Sequence, residues 1–280
     1  MTTANPVTIP QPVPLKLRAK HRLAISSLAG PIEALRYMMR ALKGLPHPEL
    51  ALLRQENRFI GAILRRLIKP DWNCLDIGGH LGSVSYQLRK LAPQGDLTII
   101  EASPGKAAML RDSFPGATVL AVAVSDQAGD VSFFENLKQP GFSSLANRSE
   151  RGATQEITVQ AYRLDDLLAA PAHIDFIKID VEGFEFPALQ GGMKLLQRCK
   201  PTILFEAGAI EDQSLDTTQA DALFDMLTGE LGYDVYAALD VYYERAPLTR
   251  AQFKSYRTYP FIAFNYFALP RNHAAGPADV

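Results

Sequence analysis

The stretch LDIGGHLGS, Leu75–Ser83, decides the fold of this chain. It places an aspartate and three glycines directly behind the apolar, β-prone run at 72–75 and ahead of a segment with helical spacing. A glycine-rich turn between a strand and a helix is where open α/β sheets bind their ligands. The stretch therefore predicts a binding site between a first strand and a helix that begins at Ser83.

This turn does not carry the dinucleotide fingerprint G-x-G-x-x-G. If Gly79 and Gly82 are taken as its second and third glycines, the first position is occupied by Ile77. What remains is an acid at Asp76 and a glycine at Gly78, with Gly79 as an extra small residue. A nicotinamide dinucleotide is therefore not expected here.

Asp76 is expected to select the charge of the ligand. A carboxylate at the strand tip, beside a helix N-terminus, would repel a diphosphate and attract a ligand with an ammonium and a sulfonium group. Glycines let the backbone approach such a ligand, because a Cβ would collide with it. The helix N-terminus at Ser83 can receive the carboxylate of the ligand. These properties describe S-adenosylmethionine, and we expect Asp76 to contact it.

Glu101 supports a nucleoside ligand. It ends the run LTIIE at 97–101, at a position where a carboxylate can accept both ribose hydroxyls. Enzymes that bind NAD share this feature, so it does not choose the cofactor. Taken alone, Asp76 or Glu101 could instead be a helix cap or a surface carboxylate with no ligand.

Strands alternate with helices along the rest of the chain, which predicts a parallel sheet covered on both faces. A polar, glycine-containing loop at 140–155, with Ser143 and Ser144, is long enough to fold over a ligand. Strands are expected at 72–77, 97–101, 118–124, 131–135, 157–164, 175–180, 201–206, 232–238 and 261–269, and helices at 83–91, 104–113, 165–169, 186–198 and 217–229.

The first 70 residues are predicted to form a tail and a helical extension. Residues 1–15 carry four prolines, which is typical of an extended tail. Two helices are expected from Pro31 to Lys43 and from Glu49 to Ile68. A basic cluster after the tail is interpreted as a solvent-exposed face of the protein. The alternative is that the cluster contacts an acidic substrate or a membrane surface. It consists of Lys16, Arg18, Lys20, His21 and Arg22.

Composition excludes several classes of protein. The 280 residues are 47% hydrophobic and 21% charged, which is ordinary for a globular chain. Lys and Arg number 29 against 30 Asp and Glu, so there is no global case for nucleic acid as a partner. No apolar run approaches the roughly 18 residues of a membrane span, and prolines interrupt the N-terminus where a signal peptide needs its apolar stretch. With Cys74 and Cys199 interpreted as free thiols, we expect a cytoplasmic protein.

Six motifs, together with the DIGGHLG turn, make residues 70–210 resemble the FkbM family of S-adenosylmethionine-dependent methyltransferases. The resemblance implies an α/β class I methyltransferase (Rossmann-like) fold. Its seven-stranded mixed sheet has the order 3-2-1-4-5-7-6, an antiparallel seventh strand and helices on both faces. The domains would be 1–70, the tail and extension, and 71–280, the methyltransferase domain. The motifs are IIEASP, AVAVSDQAG, LDDL, DFIKIDVEGFE, ALQGG and PTILFE.

The resemblance also implies which residues bind the cofactor. Glu101 and Ala102 would contact the ribose, and the segment Ala123, Val124 and Ser125 would lie near the adenine. The methionine end would be lined by Gly78, Gly79, His80 and Gly82.

The acids of the IKIDVEGFE motif are the candidate catalytic groups. Asp180 is expected to bind the ammonium group of the cofactor or to orient the acceptor. Glu182 is the candidate general base or acceptor-binding group, and capping of the next turn beside Gly183 is the alternative. Glu185 lies on the same side, and Glu206 at the end of the neighbouring strand could complete an acidic pocket with Asp180.

His80 and Lys178 have competing interpretations. His80 is either a base or, as we prefer, a positioning donor to the cofactor. Lys178 is expected to form an ion pair beneath the site. Paired carboxylates can bind Mg²⁺, but no compact cluster enforces this, and no metal is predicted.

The predicted function is O-methylation of a hydroxyl on a sugar, glycan or secondary metabolite. The alternative is a non-catalytic cofactor-binding subunit or scaffold that retains the fold. The aromatic-rich C-terminal part, which includes Tyr233 and Tyr259, is interpreted as packing, with stacking on sugar rings as the alternative. The expected partner is a small-molecule or glycan acceptor, and the N-terminal helices are candidate material for a homodimer.

Overall fold

The computed structural model describes residues 13–32, 35, 39, 47–136, 154–168, 173–208 and 215–271. Its helices are α1 (Leu15–Ala24), α2 (Ala51–Leu67), α3 (Ser83–Leu91), α4 (Pro104–Ser113), α5 (Leu164–Leu167), α6 (Glu185–Gln190), α7 (Met193–Cys199), α8 (Leu215–Asp225), α9 (Ala238–Tyr242) and α10 (Arg250–Tyr256). Its strands are β1 (Cys74–Ile77), β2 (Leu97–Ile100), β3 (Thr118–Leu120), β4 (Ala123–Val124), β5 (Gly129–Asn136), β6 (Thr154–Tyr162), β7 (Phe176–Ile179), β8 (Thr202–Glu206), β9 (Tyr233–Ala237) and β10 (Asn265–Pro270). A 3₁₀ turn, Pro48–Leu50, precedes α2, and a π-helical turn, Met226–Glu230, follows α8.

Seven strands form the main sheet in the order β3-β2-β1-β7-β8-β10-β9. The strands β2, β1, β7 and β8 pair in parallel, and β10 runs antiparallel to both β8 and β9. Numbered within this sheet alone, the order is 3-2-1-4-5-7-6 with an antiparallel seventh strand. The predicted fold class is confirmed.

The centre of this sheet is covered on both faces. Every residue of β1 and β7 is buried, which is the pattern of parallel strands enclosed by helices. The main hydrophobic core extends into α2 through Phe59, Ile63 and Leu64. Glu56 also joins α2 to the start of β10, because its carboxylate accepts the backbone N–H groups of Phe264 and Asn265 at 2.8 Å. The predicted second N-terminal helix therefore forms, as α2.

A second sheet of three strands, in the order β4-β6-β5, flanks the main one. The expectation of one strand over 118–124 was wrong, because the chain changes sheets within it. The backbone N–H of Glu101 donates to the carbonyl of Leu120 in the main sheet, whereas Ala123 pairs with Ala161 in the second. The apolar run therefore forms two short strands, because β3 pairs with β2 and β4 pairs with β6.

The expectation of one helix over 186–198 was also wrong, because α6 and α7 are separate helices. A Cβ at Gly191 would lie 2.1 Å from the backbone oxygen of Ser125, so the chain bends where the two segments touch. The carboxylate of Asp165 then accepts the N–H groups of Lys194 and Leu195 in the first turn of α7. A tertiary contact therefore ends one helix and caps the next.

Parts of the N-terminal half and the central loop lie outside the described residues. These include most of the predicted helix from Pro31 to Lys43, although residues 29–32 are helical. They also include Ser143 and Ser144 of the loop predicted to fold over a ligand. The helix α1, over the basic cluster, was not predicted. Within the described ranges, no helix has both the length and the apolar character needed to cross a membrane.

Candidate functional site

A cavity of about 280 Å³ opens at the carboxyl edge of the main sheet, where β1, β2 and β7 end. Parallel strands end at the same edge, so residues about a hundred positions apart in sequence meet there. Asp76, Gly82 and Ser125 do not line this cavity. Glu185 and Glu206, expected beside it, do not line it either. Nine residues predicted to bind the cofactor or to act in catalysis do line it: Gly78, Gly79, His80, Glu101, Ala102, Ala123, Val124, Asp180 and Glu182.

Gly78 holds the glycine turn against the end of β7. Its φ is +79°, in the left-handed region, and a Cβ there would lie 2.0 Å from the backbone oxygen of Asp180. Its N–H donates to the carbonyl of Ile100 at 2.8 Å, and its own carbonyl accepts from Lys178 Nζ at 3.0 Å. The turn is therefore tied to both strands that neighbour β1.

We expect Gly78→Ala to lower the free energy of unfolding by about 2–3 kcal/mol and the affinity for S-adenosylhomocysteine by about tenfold. The methyl group would meet backbone rather than a flexible side chain, so the turn must move. Urea unfolding and titration calorimetry measure the two effects. The control is Gly229→Ala, since a Cβ at Gly229 meets nothing within 4 Å. Equal behaviour of the two variants would contradict the expectation.

Gly82 and Ser125 do not line the cavity, and both contact neighbouring parts of the fold. Gly82 precedes α3 with φ +72°, and a Cβ there would lie 2.8 Å from the ring of Phe114. The N–H of Ser125 donates to the carbonyl of Tyr162, and its hydroxyl bonds to Asp126. The structure does not bring these two residues to the cavity.

Asp76 lies below the cavity, which corrects the expectation of direct contact with the ligand. It is 1% exposed, and the hydroxyl of Ser85 donates to its Oδ2 at 2.5 Å. Its Oδ1 lies 3.5 Å from Lys178 Nζ. The reason is register: Asp76 is paired with Lys178 inside the sheet, one residue before the strand ends. The predicted ion pair of Lys178 is present, and any effect of Asp76 on a ligand passes through it.

Lys178 carries the charge that balances the acids around it. Burial opposes its protonation, but the carboxylates of Asp180 and Asp76 raise its pKa. Its Nζ lies 3.7 Å from Asp180 Oδ2. A permanent cation therefore stands directly beneath the turn and bridges β1 to the end of β7.

His80 is held in place through its backbone. Its φ is +45°, and its N–H donates to Glu101 Oε2 at 2.8 Å. The other carboxylate oxygen of Glu101 accepts the N–H of Ser103 at 2.9 Å. Burial, reinforced by the charge of Lys106, lowers the pKa of His80 to about 3. The imidazole is therefore neutral at physiological pH, which favours a positioning role over that of a base.

Glu185, not Glu182, caps the turn after β7. Its carboxylate accepts the N–H of Val181 at 2.9 Å and that of Gly183 at 3.1 Å. Burial raises the pKa of Glu185 to about 7, although these hydrogen bonds oppose the change. The sequence left open that Glu182 caps the turn beside Gly183. In the structure Glu185 accepts these N–H groups, and Glu182 lines the cavity.

The pKa of Glu185 predicts a pH dependence of stability. The folded chain binds a proton up to pH about 7, whereas the unfolded carboxyl loses it near 4.5, so stability falls as the pH rises between these values. In Glu185→Gln this decline should be weaker, by up to about 1.4 kcal/mol per pH unit. Urea unfolding between pH 5 and 7 measures it, with exposed Glu230→Gln as the control. Parallel curves for wild type and Glu185→Gln would contradict it.

Glu206 and Asp180 form the pair of carboxyls expected from the two strand ends. Burial, with the adjacent Asp180 carboxylate second, raises the pKa of Glu206 well above its ordinary value. A hydrogen bond joins the carboxyl groups of Glu206 and Asp180, and Asp180 faces the cavity. Among the described residues, no group of three or more His, Cys, Asp or Glu side chains is placed to hold a metal ion.

The sequence comparison assigns the family. Residues 76–235, more than half of the chain, match the family described as "Methyltransferase FkbM domain". The chain belongs to this family. The predicted resemblance to this family and the predicted cofactor, S-adenosylmethionine, are both confirmed.

Relatives of this FkbM methyltransferase include the 2-O-methyltransferase NoeI of Sinorhizobium fredii (strain NBRC 101917 / NGR234). The two are 28% identical over 156 residues, which is 49% of this chain and 64% of NoeI. The chain thus spans less than two thirds of that relative.

Two solved structures resemble the fold at low identity. The FkbM methyltransferase of Methylobacillus flagellatus KT is 15% identical, with a TM-score of 0.45 over 71% of this chain and 44% of that one. Cofactor-bound Rv0187 from MTB is 18% identical, with a TM-score of 0.41 over 84% of this chain and 96% of that one.

Sequence reasoning missed several side chains of this FkbM site. Lys106 and Phe133 line the cavity, and His21 contacts the glycine turn. Lys106 follows the helix cap Ser103 by one turn, so its position at the edge of the sheet where α4 begins was predictable from helical spacing. His21 follows Leu17 by four residues, so the two form a buried pair on one face of α1. The lysines and arginines around them made this segment resemble one that is fully exposed.

Proposed function

We propose that this FkbM methyltransferase methylates a hydroxyl group of a sugar, a glycan or a secondary metabolite. The observation that carries the proposal is the group of carboxyls at the ends of β7 and β8, which directly adjoins the glycine turn. Asp180 and Glu182 line the same cavity as Gly78 and His80. The name of the relative NoeI, a 2-O-methyltransferase, supports oxygen as the acceptor atom.

S-adenosylmethionine fits the residues that line this cavity. Each carboxylate oxygen of Glu101 accepts one backbone N–H, which leaves lone pairs for the two ribose hydroxyls. We assign the ribose to Glu101 and Ala102, the adenine to Ala123 and Val124, and the amino-acid part to the turn that ends at His80. When bound, the cofactor supplies a methyl group activated by its cationic sulfur.

The acids divide two tasks in this proposal. Asp180, held by Lys178 and by its hydrogen bond with Glu206, binds the ammonium group of the cofactor or orients the acceptor. Glu182 would take the proton from the acceptor hydroxyl as its oxygen bonds to the methyl carbon and the methyl–sulfur bond breaks, which leaves S-adenosylhomocysteine as the second product. His80, which is neutral, contributes a hydrogen bond rather than proton transfer. Most of the rate then comes from positioning the hydroxyl beside an activated methyl group.

Two experiments test the proposal in sequence. Titration calorimetry with S-adenosylmethionine, S-adenosylhomocysteine and NAD should show binding of the first two only. Transfer of an isotopically labelled methyl group to a panel of sugars, oligosaccharides and phenols should then label a hydroxyl oxygen. Label found only on nitrogen or carbon would refute O-methylation. Cofactor binding without transfer to any acceptor would favour the non-catalytic subunit.

A further inference from the structure

The helix α1 is fixed to the glycine turn by a buried histidine. His21 is 3% exposed, and Leu17, one helical turn earlier, is buried on the same face. The Nδ1 of His21 lies 3.0 Å from the carbonyl oxygen of Leu81, and its Nε2 lies 2.7 Å from the hydroxyl oxygen of Ser113. A carbonyl oxygen can only accept, so Nδ1 carries the hydrogen and Nε2 of the neutral ring accepts from Ser113. Burial lowers the pKa of His21, which favours this neutral form.

The carbonyl that His21 binds lies outside the hydrogen-bond ladder of α3. Gly82 is the N-cap of that helix, with a φ of +72°, and its carbonyl accepts the N–H of Tyr86 at 2.8 Å. That bond is the first of the helix, and the carbonyl of Leu81 precedes it by one residue. The regular bonds of α3 therefore do not reach this carbonyl, and a side chain from α1 supplies its donor.

His21 also joins the glycine turn to the end of α4. Ser113 is the last residue of α4. In the same place a Cβ at Gly82 would lie 2.8 Å from the ring of Phe114, so the turn and the end of α4 are already in close contact. One imidazole thus connects three segments, namely α1, the turn and α4, and it does so beside the N-cap of α3.

The residues on both sides of Leu81 line the cavity. His80 precedes it, and its N–H donates to Glu101 Oε2 on the ribose side of the proposed cofactor site. Ser83 and Val84 follow it in the first turn of α3 and also line the cavity. The N–H groups of a first helical turn have no partner inside the helix, and they suit a carboxylate. The orientation of the Leu81 peptide therefore affects groups on both sides of it that face the cofactor.

We propose that His21 is a positioning residue of the cofactor site: its bond to the carbonyl of Leu81 holds His80 and the start of α3 in the orientation that binds S-adenosylmethionine. This inference rests on the placement of the cofactor proposed above. His21 does not touch the cofactor and acts through the backbone of the turn. It also precedes the region 76–235 that matches the family, so a segment outside that match contributes to the site.

The test separates the two hydrogen bonds of the imidazole. In asparagine the amide nitrogen is attached to Cγ, as Nδ1 is, so His21→Asn can still donate to Leu81. In glutamine the amide is one carbon farther out, near the place of Nε2, so His21→Gln can still bond to Ser113 but not to Leu81. Affinity for S-adenosylhomocysteine is measured by titration calorimetry on the full chain, and stability by urea unfolding.

We expect affinity within about twofold of the wild type for His21→Asn and about tenfold weaker for His21→Gln, the loss typical of one hydrogen bond. Stability should not follow this order, because glutamine has the higher helix propensity and each variant loses one of the two bonds. An effect that acted only through stability would leave the asparagine variant as the weaker binder. The control is His173→Gln, at an exposed position before β7 on the opposite edge of the sheet, which should bind as the wild type does.

Ser113→Ala gives a second test that keeps the histidine. It removes the partner of Nε2 and leaves the bond to Leu81, so we expect lower stability with affinity within about twofold of the wild type. Equal affinities of the two His21 variants, weaker binding by His21→Asn, or a tenfold loss in Ser113→Ala would overturn the role of His21. Failure of the wild type itself to bind S-adenosylhomocysteine would refute the placement of the cofactor, and this inference with it.

Discussion

Glu182→Gln is expected to lower kcat by about 10³-fold while the affinity for S-adenosylhomocysteine stays within about twofold of the wild type. Glutamine keeps the size and hydrogen bonding of the side chain but cannot take a proton. Glu185 caps the adjacent turn, so the loop that carries Glu182 keeps its shape in the variant. The measurement is the steady-state rate with a hydroxyl acceptor found in the methyl-transfer screen, together with calorimetry of the cofactor product.

The control for this variant is Glu156→Gln, at an exposed position of β6. It makes the same chemical change away from the cavity and should keep full turnover. Undiminished kcat in Glu182→Gln would exclude Glu182 as the base. A loss of S-adenosylhomocysteine binding as large as the loss of rate would show that Glu182 binds the cofactor rather than the acceptor proton.

Lys178→Met should lower the free energy of unfolding by about 3–5 kcal/mol. Its loss leaves the buried carboxylate of Asp76 with Ser85 as its remaining hydrogen-bond partner. An unbalanced charge in the interior costs far more than the net value of an ion pair. Urea unfolding at neutral pH measures the change, and the midpoint should move without a large change in slope.

The double variant Lys178→Met with Asp76→Asn separates charge from packing. Asparagine removes the buried negative charge and can still bond to Ser85, so most of the lost stability should return. If the double variant is as unstable as the single one, the cause is lost packing rather than the unbalanced carboxylate. The affinity for S-adenosylhomocysteine should stay reduced in both, because the bond from Lys178 to the carbonyl of Gly78 is missing.

Local signals in the sequence were sufficient for the helices beside the site. The predicted bounds of α3 and α4 agree with the structure, because α4 has Ser103 as its cap and Pro104 in its first turn. Glu101 and the residues after it could be placed in the cavity for the same reason: strand ends and helix starts in such sheets converge on one edge.

The role of Asp76 could not be read from its own neighbourhood. From the sequence it is an acid beside a glycine turn, but its environment depends on Lys178, which reaches it only through the pairing of β1 with β7. The roles of Glu182 and Glu185, three residues apart, could not be distinguished from the sequence either. Only the path of the turn shows which of them accepts the backbone N–H groups and which lines the cavity.

Short motifs in the sequence determined the family, and the resemblance to that family implied the strand order, the cofactor and half of the residues that line the cavity. Tertiary structure alone decided that Asp76 is buried beside Lys178, that Glu185 is the cap, and that α1 lies on the glycine turn through His21. Those outcomes depend on contacts between segments that are distant along the chain. Charge and burial at such contacts are set by the partner that folding supplies, not by the neighbouring residues in sequence.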